Sequence, residues 1–159
     1  MQTFLPYPSF NSTAEVLDRS RLGKQRVETK QILVALGFPV GPTPGNSMSP
    51  WRHHPATRMW KGHEYHLAIY GLIMCLEWRR RGYEDGLKEQ FNEVVLSLRY
   101  DEQPLPAWLG SRDFHASHRS NLLRKDPEWY GQFGWSESPD LPYAWPVELR
   151  SKKSENIFS

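Results

Sequence analysis

The stretch Arg21-Leu22-Gly23-Lys24-Gln25-Arg26-Val27-Glu28 gathers three cations, one amide and one carboxylate into eight residues. On a helix turning about 100° per residue, Arg21, Lys24, Gln25, Glu28 and Gln31 share one face. Arginine offers a planar fork to phosphate and lysine a compact charge. Gln25 and Gln31 suit base edges or a ribose, and Glu28 suits an acid, a base or a brace for the cations. The plain alternative is a solvated face held by pairs such as Lys24–Glu28. A second cluster is "WRHHPATRMW". His53 and His54 precede a helix start, where backbone N–H groups favour an anion. Arg52 and Arg58 add charge, and Trp51 and Trp60 offer rings on which a base can stack. The third is "FHASHR", in which His115 and His118 lie three apart with Arg119 beside them. Phosphate contact or catalysis fits these types; loop anchoring, core packing and structural hydrogen bonding are the alternatives.

Metal chemistry is a poor match. His63 and His66 repeat the i,i+3 spacing, but no Cys pair and no HExxH motif accompanies them, and zinc wants at least three protein ligands. No metal and no cofactor are expected. Neither a GxxxxGK[ST] nor a GxGxxG phosphate loop occurs. Cys75, within "LIMCLEW", reads as a buried thiol rather than a nucleophile.

Helices must position these groups, because no alternating strand pattern and no internal repeat appears. After a Pro-broken start, a helix is predicted from about Thr13 to Leu36, opened by the Ser12/Glu15 capping spacing and stopped at Gly37. Gly23 inside it costs about 1 kcal/mol relative to Ala, which points to close packing or close ligand approach. A Pro-rich loop covers residues 38–52. A second long helix is predicted from Pro55 to about Arg81, with Met59, His66, Ile69, Ile73 and Leu76 on its buried face. A shorter acidic helix is predicted over Glu84–Leu98 and a last one over Ser111–Lys125. The expectation is an all-α single domain of three to four helices with long Pro-rich loops over residues 1–150, and a polar, disordered tail over 151–159.

The 159 residues suffice for one domain with a core. Seven Trp, seven Tyr and seven Phe serve cores first and base stacking second. The net charge is only +2, yet residues 1–61 carry +5 and residues 62–159 carry −3. That asymmetry suits a local basic surface for an anionic partner. A single cysteine allows no disulfide within the chain, which points to a reducing, cytoplasmic setting. No signal-peptide pattern and no apolar run long enough for a membrane span occurs, so no membrane partner is expected. The oligomeric state is not legible.

"ATRMWKGHEYHLAIYGLIMCLEWRRRGYED", followed by "HRSNLLRKDPEWYGQFGW", resembles the pyrimidine-dimer DNA glycosylase (endonuclease V) family. The resembling features are Arg80, Arg81, Gly82 and Tyr83, then Arg119, Leu122, Pro127, Trp129, Tyr130, Phe133 and Gly134, with order and spacing kept over most of residues 14–135. The opening "MQTFLPYPSF" looks like a bacterial and phage branch of that family. The resemblance implies a helical domain whose N-terminus lies beside the DNA-binding face. It implies that an N-terminal α-amine attacks C1′, displaces the base and forms a Schiff base, after which β-elimination nicks the strand. A glutamate on the first long helix assists. An α-amine keeps a useful neutral, nucleophilic fraction near neutral pH.

Two departures stand out. The family bares a small residue by removing the initiator Met, whereas Gln2 follows Met1 here and disfavours removal. The family glutamate is expected near residue 23, where this chain has Gly23 and no carboxylate from Arg19 to Val27. Met1 or Lys24 is then the amine, Glu28 the acid or base, and Arg21, Arg26 and Arg119 the phosphate contacts. The expected activity is excision of a damaged or modified base from DNA. The rival is a non-catalytic pocket that sequesters a free signalling nucleotide.

Overall fold

A computed structural model describes residues 1–99 and 103–149. Seven α-helices follow one another: α1 (Phe10–Val16), α2 (Arg19–Ala35), α3 (Pro55–Arg58), α4 (Glu64–Arg80), α5 (Lys88–Leu98), α6 (Arg112–Lys125) and α7 (Pro127–Tyr130). Two 3-10 turns, Pro50–His53 and Gly131–Phe133, complete the regular structure. Among the described residues there is no strand, only an isolated bridge between Val40 and Thr43 inside the Pro-rich loop. The tail expected over 151–159 lies outside the described residues.

The all-α expectation holds, but three to four helices become seven, because both long predicted helices are broken. The first breaks at Leu17–Asp18, where both residues turn extended. Leu17 is fully buried, and Tyr130 secures the break by accepting the Asp18 N–H at 3.0 Å on its hydroxyl. The cap of α1 is Ser9, which accepts the Ser12 N–H, rather than Ser12 itself. The second breaks between Met59 and His63, where Gly62 has φ +84°. Its predicted inner face is rotated from the true one. Leu67, Tyr70, Gly71, Met74 and Cys75 are buried, while Leu76 is exposed. The two outer predictions are closer: α5 starts at Lys88 rather than Glu84, and α6 starts one residue after Ser111, its N-cap.

The core forms around α4, which packs against α2 on one side and α5 on the other. Gly71 makes this sandwich possible. A Cβ there would stand 2.5 Å from Thr29 Cγ2 on α2 and 3.0 Å from the Phe91 ring on α5. Below this layer, α6 and the aromatic segment after it cover the N-terminal residues. Tyr130, Phe133 and Trp135 stack there as one group.

Candidate active site

Residues 1–7 form no helix, yet Gln2, Thr3, Phe4 and Leu5 are buried. A buried extended segment must find partners for its backbone groups, and side chains of three helices supply them. From α2, Glu28 Oε2 accepts the Gln2 N–H at 3.2 Å, and Gln25 Oε1 accepts the Phe4 N–H at 2.9 Å. From α4, the Tyr70 hydroxyl stands 2.8 Å from the Phe4 carbonyl and 2.9 Å from Gln25 Oε1. From α6, His118 Nδ1 accepts the Leu5 N–H at 2.9 Å, and His115 Nδ1 lies 2.7 Å from the Leu5 carbonyl. Gly110 N–H donates to His115 Nε2 at 2.8 Å, so the ring proton sits on Nδ1 and is donated to Leu5. Arg119 donates to the Pro6 carbonyl at 2.8 Å, and Trp60 Nε1 to Thr3 Oγ1 at 3.0 Å.

This strap delivers Met1 to the wall of a cavity of about 530 Å³. The lining includes Arg21, Lys24, Gln25 and Glu28 from α2, Lys125 and Asp126 from the end of α6, and Tyr143. Glu28 is 7% exposed. Burial raises its carboxyl above the ordinary range, against the Gln2 N–H, the α-amino charge, Lys24 and Gln25, which all favour the anion. Burial also lowers the Lys125 amine, with help from the charges of Arg21, Arg124 and Lys24. Two exposed lysines, the part-buried Arg21 paired with Asp18, and the buried Glu28 suit an anionic, oxygen-rich ligand.

The structure therefore brings together Met1, Arg21, Lys24, Gln25 and Glu28. Gln25 is already committed. Its amide holds Phe4 and lies 3.4 Å from Glu28 Oε2, so it positions rather than reads a ligand. Gln31 is exposed two turns beyond Lys24 and does not line the cavity. Arg26 faces away: its guanidinium is paired with buried Asp85 and lies over the Trp78 ring, 5.0 Å from the centroid. A phosphate role for Arg26 is thus corrected to a link between α2 and the segment joining α4 to α5. Gly23 lies on that same outer side, where a Cβ would meet Trp78 at 2.9 Å. The glycine is a packing residue, and the carboxylate beside the N-terminus is Glu28.

The other two clusters divide differently. Trp60 is fully buried and belongs to the core, which corrects its assignment as a stacking ring. Trp51 is exposed and packs edge-on against His54. The His54 ring caps α3 by accepting the Ala56 N–H at 3.0 Å, and burial and then the α-amino charge lower its pKa. His53 lines a separate pocket with Arg52, Arg58 and Lys61. His115, His118 and Arg119 act here as clamps on the N-terminal strap, and His115 and Arg119 also line a second cavity with Arg112, Asp113 and Glu137. Burial pushes His118 down to about 3, so it stays neutral as an acceptor. His63 and His66 face the carbonyls of Pro104 and Gln103. Among the described residues no three His, Cys, Asp or Glu side chains stand together as a metal cage.

Sequence reasoning missed Gln2, Lys125 and Tyr143. Each reaches the cavity through tertiary packing, and no spacing rule joins residue 2 to residue 125. The family model described as pyrimidine dimer DNA glycosylase matches residues 1–90, which contain the strap, α2 and α4. No curated protein and no solved structure matches the chain.

Proposed function

Because the chain belongs to the pyrimidine dimer DNA glycosylase family, we propose that it excises a damaged pyrimidine from DNA with its α-amine and Glu28. One observation carries this reading. The strap directs the N-terminus to the only buried carboxylate of the cavity lining, with Gln2 N–H bound to Glu28 at 3.2 Å. The hydrogen bond from Gln2 N–H ties the residue next to the α-amine to Glu28, whereas Lys24 is exposed at the rim, which favours Met1 over Lys24 as the nucleophile.

The amine lone pair attacks C1′, and the glycosidic C–N bond breaks with its electron pair leaving on the base. The base takes a proton as it departs. Ring opening converts the aminated sugar into a Schiff base. Glu28 as carboxylate removes a C2′ proton, and β-elimination expels the 3′ phosphate. Water then hydrolyses the imine and frees the amine. A carboxylate in a low-polarity site also stabilises the positive charge that develops on the sugar. Arg21, Lys24 and Lys125 hold the flanking phosphates.

Borohydride trapping tests this. Wild-type protein with UV-irradiated or abasic duplex should give a covalent adduct whose peptide map places the sugar on the Met1 amine. Glu28→Gln should lower turnover about 10²- to 10⁴-fold. It should also remove an acidic limb of the pH–rate profile lying above the ordinary carboxylate range. Absence of any adduct sinks the amine mechanism; an adduct on Lys24 moves the nucleophile. The concave cationic lining supports a second reading, a pocket that sequesters a free nucleotide. A nucleotide released on denaturing the purified protein, without an adduct on any duplex, would favour it.

A further inference from the structure

The side chains that hold the strap are paired, but the strap itself carries a buried polar side chain that is not. Gln2 is 5% exposed and lines the cavity. Its backbone N–H is bound to Glu28, but its side-chain Nε2 and Oε1 are both buried without a hydrogen-bond partner. Buried amides in folded proteins are almost always satisfied, and an unsatisfied one calls for an explanation. Packing does not provide it, because an apolar side chain of the same shape would fill the volume without the desolvation penalty. Nor does the strap need this amide, since Gln25, Tyr70, Trp60, His115 and His118 already hold it. The unpaired amide belongs to the residue that follows the α-amine, whose backbone N–H binds Glu28 and which lines the same cavity.

A carboxamide offers two donors and one acceptor. It complements an edge that presents an acceptor and a donor side by side. The imide of thymine or uracil is such an edge, with N3–H between two carbonyls, and it survives saturation of the 5,6 bond. We propose that the Gln2 side-chain amide pairs with the imide edge of the pyrimidine being excised and so sets the base specificity of the site. This inference rests on the glycosylase reading of the cavity.

The test compares kcat/KM on a duplex carrying a thymine dimer with kcat/KM on the same duplex carrying an abasic site, which has no imide. Gln2→Met, nearly isosteric, should lower the dimer-to-abasic ratio by about 10- to 100-fold. Its thermal midpoint should be no lower than that of the wild type, since an orphaned amide has been removed. Gln2→Leu, measured in parallel, guards against misfolding of a single variant. A ratio within twofold of wild type in both folded variants overturns the inference and leaves the amine chemistry standing. Wild-type protein inactive on both duplexes overturns the glycosylase reading and this inference with it.

Discussion

A Cβ on Gly23 would stand 2.9 Å from Cη2 and 3.0 Å from Cζ3 of Trp78. That indole cannot easily move aside. Its Nε1 donates to the Glu84 carbonyl at 2.9 Å, Tyr83 packs on it at 4.3 Å, and Arg26 lies over it. In an open helix, Gly→Ala would stabilise by about 1 kcal/mol. Here overpacking of about 1–3 kcal/mol outweighs that gain. Gly23→Ala should therefore lower stability by about 1 kcal/mol in urea unfolding, and a gain would show that Trp78 yields freely. Gly23→Glu should unfold more readily still and add no trapping activity, because its carboxylate would point away from the cavity. That Gly23 marks either close packing or close ligand approach was legible from the cost of glycine in a helix, and Trp78 makes it packing. That the acid sits at Glu28 was not, because only the strap identifies which side of α2 faces the N-terminus.

The elements that set this geometry are a strap without regular structure and a helix that closes on it. His115 and His118 of α6 hold the two backbone groups of Leu5 as neutral rings. The unfolded chain takes up a proton on such a ring near pH 6.5, whereas folded His118 refuses it until about 3. The stability this contributes is complete above pH 6.5, declines as the pH falls and is gone below about 3. Glu28, with a raised carboxyl, has the opposite sign: its contribution is present at low pH and lost as the pH rises through its folded value. The paired carboxylates Asp85 and Glu137, both lowered, add losses only in the acid range. Thermal midpoints should therefore fall already between pH 6.5 and 5, and His118→Gln should flatten that slope. An unchanged slope would remove His118 from the account. The existence of α6 and its range, predicted over Ser111–Lys125 and found over Arg112–Lys125, were readable from the sequence. The purpose of its histidines was not, since i,i+3 spacing fits a ligand pair and a backbone clamp equally well.

Charge belongs to the molecule as a body. The excess of +5 in residues 1–61 does not spread over a broad groove. Arg21, paired at 3.2 Å with Asp18 on the same rim, and Lys24 of α2 meet Lys125 of α6 around one opening, while Arg26, Arg79, Arg80 and Arg81 are held by Asp85, Glu77 and Glu89. Few cations are thus free for a DNA backbone. With about three phosphate contacts, log affinity for damaged duplex should fall against log salt with a slope near −3. Lys125→Ala should make that slope shallower by about 1. A slope steeper than about −6 would require a second basic surface, for which the pocket lined by Arg52, His53, Arg58 and Lys61 is the place to look. The sequence disclosed the asymmetry but not its focus, because Lys125 joins the rim only through the fold. The strap has a consequence for synthesis as well. Leu5 is fastened to His118 across 113 residues, and Asp18 to Tyr130 across 112. A ribosome making this chain releases its first residue long before the helix that fixes it. Among these segments the strap is made first and is among the last to be placed, because its partners on α6 and α7 follow more than a hundred residues later.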